Sequence, residues 1–429
     1  MDYAAALTYL DDHASYEKTG RISSPSIDPI SRLCAAMGDP QLAQPVIHVT
    51  GTNGKGSTAQ MITRLLIAQG LTVGTYTSPH LERVNERIRW DGEPISDDDF
   101  AEQIAGIAAL EGITGVRPTY FEAITAAAFR FFSDVAVDVA VIEVGMLGRW
   151  DATNVVDAQV AVITNIAMDH NEFAGPELED IAREKAGIIK SGSVVVIGED
   201  DPDLVQIFLA EGGASTLVRG EQFETLDNSL AIGGRSLDIR TPTTIYSDVF
   251  LPLHGRYQGD NATLALTAVE AFFAAPLAED VVHEGFANVT MPGRFEVMGV
   301  QPLAIIDGAH NPPGADLCAE VFFEDFQPEG RRVLVVGTLR DAAEMLAALR
   351  ADEFDAVYAC TAPSPRAVSS TNIARAAREM GCAEVYAHDT VEGACAAAMR
   401  AAGPDDAVLV AGSLYVAGAA RQAIRRFAN

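Results

Sequence analysis

Between residues 50 and 58 the chain reads Thr50-Gly51-Thr52-Asn53-Gly54-Lys55-Gly56-Ser57-Thr58, glycines around one lysine followed by hydroxyls. Without a Cβ, glycine lets backbone N–H groups turn inward around phosphate oxygens, and a helix starting there adds positive potential. Lys55 can reach the β/γ-phosphates of a nucleotide. The spacing departs from the usual G-x-x-x-x-G-K-[ST] loop, since Val49 stands at the first glycine position and Gly56 follows the lysine. A glycine-rich turn with a surface lysine is the plainer reading, and the flanking strand and helix patterns oppose it. Glu143 ends the run Val139-Ala140-Val141-Ile142, at the strand end where open α/β sheets place their ligands. A solvated glutamate would also fit there. Beside a phosphate loop, its carboxylate suits Mg²⁺, a hard cation that prefers oxygen.

Val46 to Val49 reads as the strand that delivers this loop, and Ser57 to Gln69 as the helix that follows, stopped by Gly70. Met61, Leu65 and Ala68 share one face of that helix. Strand-like runs at 73–77, 137–144, 160–164 and 194–197 alternate with helical patterns at 97–110, 120–133 and 177–190. Such alternation marks parallel sheets covered by helices. Residues 214–253 switch to short alternating runs with turns at Gly233-Gly234 and Thr241-Pro242, expected to be a small antiparallel insertion. Helices at 258–274 and 279–288 close the first domain. After Met291-Pro292-Gly293-Arg294, strands at 303–306, 332–336, 356–360 and 407–411 begin a second. The sequence thus predicts an α/β chain in two parts. Residues 1–295 form a large P-loop ATPase-like domain with a mostly parallel sheet, and residues 296–429 a smaller Rossmann-like α/β domain.

The phosphate loop resembles that of the Mur ligase superfamily, specifically of folylpolyglutamate and dihydrofolate synthases. Further landmarks follow in that family's order. They are Thr77-Ser78-Pro79-His80-Leu81, Glu86-Arg87-Ile88, Thr119-Tyr120-Phe121-Glu122, Asp151-Ala152-Thr153-Asn154, Asp169-His170 and Glu184-Lys185-Ala186-Gly187-Ile188. Pro292-Gly293-Arg294-Phe295, Asp307-Gly308-Ala309-His310-Asn311-Pro312 and Gly412-Ser413-Leu414-Tyr415 complete the set. The chain departs from the family at Leu147, where a glycine or alanine is usual, and at Trp150, where relatives carry a smaller apolar residue.

The resemblance implies roles for individual residues. Gly54, Lys55, Gly56 and Ser57 would hold ATP with Asn261, Arg294 and Asp307, and His310 would meet the nucleotide from the second domain. Ser78 would join Glu143 on one magnesium, and His170 would serve a second. Taken alone, His170 is an ordinary hydrogen-bonded loop histidine. Lys185 on its own reads as an exposed lysine of a solvated helix face, whereas the family carries it as a carbamate. An ammonium beside two magnesium ions is repelled, and carbon dioxide capture turns it into a carboxylate. Thr119, Tyr120, Phe121, Glu122, Trp150, Asp151 and Ala152 would line a pterin-acid pocket, the aromatic side chains by stacking and Asp151 by hydrogen bonding. Core packing is the alternative for the aromatics, and helix capping for Asp307.

The implied reaction is ATP-dependent ligation of L-glutamate to dihydropteroate and to tetrahydrofolates through an acyl phosphate, with Lys55, Lys185 and His310 taking part and the site in an interdomain cleft. A monofunctional folylpolyglutamate synthase is the nearest alternative, and a nucleotide-binding module without ligase chemistry a more distant one.

Composition narrows the rest. The 429 residues carry 30 Lys+Arg against 60 Asp+Glu, a formal net charge of −30, and no basic run, which disfavours nucleic acid and anionic lipid as partners. The partners expected are small molecules, and the chain a monomer. Five cysteines without a C-x-x-C pair indicate neither a disulfide framework nor a zinc site and fit a reducing cytoplasm. The acidic start and the lack of an apolar stretch of about 18 residues lead to the expectation of a protein without leader or membrane span.

Overall fold

The computed structural model describes residues 1–20, 25–169 and 171–426; His170 lies outside the described residues. Contacts divide the chain into two compact units, Met1–Pro252 with Gln258–Val289, and Leu253–Tyr257 with Thr290–Asn429. The division falls at Val289, a few residues before the position expected near 295. Phe295 explains the difference, since it is buried in the second unit's core against Phe326 and His254.

The first unit is built on eight strands: β1 (Val46–Thr50), β2 (Val73–Tyr76), β3 (Ile88–Trp90), β4 (Glu93–Pro94), β5 (Val139–Glu143), β6 (Val160–Ile163), β7 (Val194–Ile197) and β8 (Ser215–Val218). Their order is β4-β3-β2-β5-β1-β6-β7-β8. All neighbours are parallel except β2/β3 and β3/β4. Apolar β-branched strands covered on both faces fit this interior, and every residue of β1 and β5 is buried. The antiparallel insertion exists but is smaller than expected: only β9 (Glu224–Ala231), β10 (Gly234–Arg240) and β11 (Ile245–Leu251) form it. Residues 215–218 instead join the large sheet beside β7, because helix Pro202–Glu211 makes the crossover that a parallel pair requires.

The second unit carries β12 (Glu296–Val300), β13 (Leu303–Ile306), β14 (Arg332–Val336), β15 (Ala356–Cys360), β16 (Glu384–His388) and β17 (Ala407–Ala411), in the order β12-β13-β17-β14-β15-β16. Five of these strands are parallel, and β12 is an antiparallel edge. Helices pack on the sheet around a core that includes Leu334, Val336, Val357, Ile373 and Leu409. Among the described residues no helix is long and apolar enough to cross a membrane.

Candidate active site

β1 is central in the first sheet, so its C-terminal end opens where parallel sheets bind ligands. The chain then turns through Gly51 at φ +144° and Gly54 at φ +81° into helix Lys55–Ala68. Both are conformations that residues with a side chain rarely adopt. A Cβ on Gly51 would lie 1.8 Å from Thr164 Oγ1, and one on Gly54 would lie 2.5 Å from Asn261 Oδ1. The loop is braced from β6: Asn53 N–H donates to Asn165 Oδ1 at 2.9 Å, and Thr164 Oγ1 donates to the Asn53 carbonyl at 2.6 Å. Lys55 folds back, its Nζ donating to the carbonyls of Gly51 and Thr52, both at 3.0 Å.

Register puts Glu143 beside Val49, directly under this loop. Its carboxylate is 4% exposed and accepts the Ser78 N–H at 3.0 Å, while both oxygens lie 3.6 Å from where a Gly56 Cβ would stand. Gln258 Nε2 donates to Ser57 Oγ at 3.4 Å, and Asn261 Nδ2 to Gln258 Oε1 at 3.1 Å, which ties helix Tyr257–Phe273 to the start of the phosphate helix. The loop bearing Ser78 is itself held down. Glu86 accepts the N–H groups of Leu81, Glu82 and Arg83. The wholly buried Arg87 forks onto Glu17 at 2.8 and 2.7 Å, donates to His80 Nδ1 at 2.9 Å, and lies over the Tyr120 ring at 5.4 Å.

Lys185 is not on a solvated face. It is 3% exposed at the end of helix Leu178–Ala186, and its Nζ donates to the Gly51 carbonyl at 2.7 Å, the same oxygen that Lys55 uses. Burial, then the positive charge of Lys55, push its pKa well below the ordinary lysine value. The expected helix to 190 stops at Ala186 with Gly187 as its C-cap, packed so closely on Arg149 that an added Cβ would lie 2.4 Å from that side chain.

Residues 145–154 form the wall between these groups. Asp151 accepts Thr153 N–H at 3.0 Å, Thr153 Oγ1 at 2.6 Å and Met146 N–H at 2.9 Å, so its carboxyl is first an organiser of this loop. Burial pushes its pKa up, against the pull of those donors. Leu147 sits at φ +59°, a conformation that favours glycine, and its carbonyl accepts Thr50 Oγ1 at 2.6 Å. Phe121 packs against Gly145, and Trp150 is 50% exposed. Thr119 and Glu122 form a reciprocal cap on helix Tyr120–Asp134, which uses their polar groups on backbone N–H.

In the second unit, Asp307 follows β13 and accepts N–H from Phe295 at 2.8 Å and from Ala309 at 2.7 Å. Burial raises its pKa and nearby Arg294 lowers it. The helix that follows is capped by Asn311, not by Asp307. His310 Nδ1 lies 3.1 Å from the Gly308 carbonyl, and its own carbonyl accepts Arg340 Nε at 3.1 Å. Arg294, Asp307 and His310 thus gather at one strand end, as Gly54, Lys55, Ser57, Ser78, Glu143, Lys185 and Asn261 gather around the phosphate loop.

Two patterns match this architecture. The Mur ligase middle domain covers residues 49–269, and the Mur ligase glutamate ligase domain covers residues 293–414. The chain belongs to the Mur ligase family. It is 40% identical to the dihydrofolate synthase/folylpolyglutamate synthase of Mycobacterium tuberculosis, over 92% of this chain and 89% of that protein. With the Escherichia coli protein of the same name it shares 34% identity, covering 91% and 89%. Crystal structures of M. tuberculosis folylpolyglutamate synthase complexed with ADP and AMPPCP superpose with a TM-score of 0.90 at 39% identity, over 99% of both chains. E. coli FolC in complex with DHPP and ADP superposes with a TM-score of 0.88 at 31% identity, over 100% of this chain and 99% of that one. These matches place this Mur ligase chain in the folylpolyglutamate synthase branch, as its ordered motifs imply, and make it an ATP-dependent ligase.

Sequence reasoning assigns no role in this Mur ligase to His48, read only as part of a strand, to Arg87, named only within a landmark, or to Lys190, yet each is hydrogen-bonded to residues around the site. Lys190 Nζ donates to Asn154 Oδ1 at 2.9 Å and to its carbonyl at 3.3 Å. One signal was available for Lys190: lysine stands only at 18, 55, 185 and 190, the other basic residues being arginine. Lys55 and Lys185 both donate to the Gly51 carbonyl of the phosphate loop, and Lys190 donates to Asn154 in the 145–154 loop.

Proposed function

We propose that this enzyme couples ATP cleavage to amide formation between L-glutamate and a pteroate-type acid, acting on dihydropteroate and on tetrahydrofolates, as a monomer in the cytoplasm. The convergence of Lys55 and Lys185 on the Gly51 carbonyl beside the buried Glu143 carries the reading. End-to-end relatives named for both activities supply the substrates. Five buried free cysteines fit a reducing compartment.

A carboxylate oxygen of the acid attacks the γ-phosphorus, the bond to the β,γ-bridging oxygen breaks, and ADP departs. The glutamate amine nitrogen then attacks the acyl carbon, the acyl–oxygen bond breaks, and phosphate leaves as nitrogen sheds a proton. Backbone N–H groups of residues 51–56 and the helix N-terminus hold the phosphates, and Lys55 exchanges two carbonyls for a phosphate oxygen as charge builds. Arg294, Asp307 and His310 serve the nucleotide from the second unit.

The donor set around Glu143 fits a hard divalent cation, since the carboxylate and the Ser78 hydroxyl offer oxygen alone. Those residues would hold Mg²⁺, which when bound offsets phosphate charge. His170 is proposed for a second ion. Lys185, kept toward the neutral amine by its surroundings, is set up to capture carbon dioxide as a carbamate, because only the neutral amine is nucleophilic.

ADP release by the purified protein with ATP, Mg²⁺ and glutamate tests the proposal, with dihydropteroate and tetrahydrofolate compared as acceptors. Turnover with both is expected. Turnover with tetrahydrofolate alone would favour a single activity, the reading supported by the Lacticaseibacillus casei folylpolyglutamate synthase, 35% identical over 99% of both chains. Glutamate-independent or absent turnover would overturn the ligase reading.

A further inference from the structure

We propose that His48 is a positioning residue that fixes the acceptor-acid loop, residues 145–154, onto the strand that carries the phosphate loop. This rests on the reading that Trp150, Asp151 and Ala152 face the acid. His48 is wholly buried in the middle of β1, two residues before Thr50. Its Nε2 lies 2.9 Å from Thr153 Oγ1, which lies 2.6 Å from Asp151 Oδ1. The Thr153 hydroxyl has one proton, and Asp151 is already approached by the N–H groups of Thr153 and Met146 as an acceptor. Thr153 therefore donates to Asp151 and accepts from His48, which fixes the imidazole as the Nε2–H tautomer.

The assignment leaves Nδ1 bare, and Nδ1 is a buried nitrogen without a hydrogen-bond partner. An unmatched buried polar atom costs stability, and an apolar side chain of similar shape would spare that cost. What an apolar side chain could not supply is the Nε2–H donor. Burial, and then the charge of Lys190, depress the ring pKa to about 3, so the donor is a neutral imidazole that does not titrate in the working range.

A second tether runs from the same strand, Thr50 Oγ1 to the Leu147 carbonyl at 2.6 Å. On the opposite side, Asn154 Nδ2 donates to the Gly187 carbonyl and Arg149 N–H to the Glu184 carbonyl, at 3.0 and 2.8 Å. The loop is thus clamped between β1 and the helix that bears Lys185. The relay His48, Thr153, Asp151, Met146 sets where the acid can lie relative to the phosphate loop, because it ties the loop that follows β5 to β1, the strand from which the phosphate loop springs.

The test compares His48→Leu with His48→Gln, whose amide nitrogen can replace the Nε2–H donor. The Leu variant is expected to raise KM for the acceptor acid about tenfold while KM for ATP stays within about twofold, and Gln is expected to recover most of the loss. Thr153→Val should match the Leu variant, and the double variant should be no worse than either, as for members of one relay. Amide hydrogen exchange gives a readout independent of turnover. Exchange over residues 145–154 should accelerate in the Leu variant and not in the Gln variant, with 194–197 unchanged. Equal KM shifts for ATP and acid, or a Gln variant as impaired as Leu at the parent's melting temperature, would overturn the proposal. So would unchanged exchange over 145–154. If the parent shows no folate-dependent turnover, the substrate reading fails and hydrogen exchange still decides the tether.

Discussion

At the scale of single residues, the site is organised by charges taken out of water. Lys185 binds a proton in the unfolded chain and resists one in the fold, so the unfolded state holds more protons at neutral pH. Stability therefore rises with pH between the depressed folded pKa and the unfolded lysine value. Lys185→Met is expected to melt higher than the carbamate-free parent at pH 7, with the gap closing toward pH 10. Differential scanning at several pH values checks this, and a variant less stable than the parent at pH 7 would show that the lysine stabilises the fold. The same variant should lose most of its turnover, about a hundredfold or more, and short-chain carboxylates should restore part of it if a carbamate supplies the anion. Lys55 and Glu143 could be read from the sequence because a local pattern of glycines and a strand end announce them. The burial of Lys185 and the roles of His48 and Arg87 could not, since each depends on a partner far along the chain.

At the scale of elements, the phosphate loop is held by what surrounds it. Gly51 and Gly54 are fixed by positive φ and contact, but Gly56 is helical and an added Cβ would make ordinary contact with Glu143 at 3.6 Å. Gly56→Ala should therefore keep the fold, with a gain of about 0.5 kcal/mol from the helix. It should also crowd the carboxylate, raising the Mg²⁺ concentration needed for half-maximal rate. A lower melting temperature would show that the Cβ is not accommodated, and an unchanged Mg²⁺ requirement that the space above Glu143 is not used. The central strands were readable from apolar β-branched runs. Edges were not: β16 is a mixed run, Glu384-Val385-Tyr386-Ala387-His388, largely facing solvent, and β12 carries Gly299. The helix end at Ala186 does carry a local signal, the capping Gly187, but the apolar Ile188-Ile189 that follow continue the helical pattern past it.

At the scale of the whole molecule, ligation is expected to need both units. His310→Ala is expected to lower kcat at least about tenfold, with thermal melting of the variant separating a loss of chemistry from a loss of fold. Asp307→Ala should lose stability as well, because two buried N–H groups lose their acceptor, a cost of about 1–3 kcal/mol. Parent-like kinetics in both would confine the chemistry to the first unit. The central claim is that the acid is activated by direct phosphorylation. It is tested most directly by supplying the acceptor with both carboxylate oxygens as ¹⁸O and analysing the phosphate released during glutamate-dependent turnover. One ¹⁸O per phosphate is expected, with the other retained in the amide carbonyl; unlabelled phosphate released in step with amide formation would contradict an acyl phosphate.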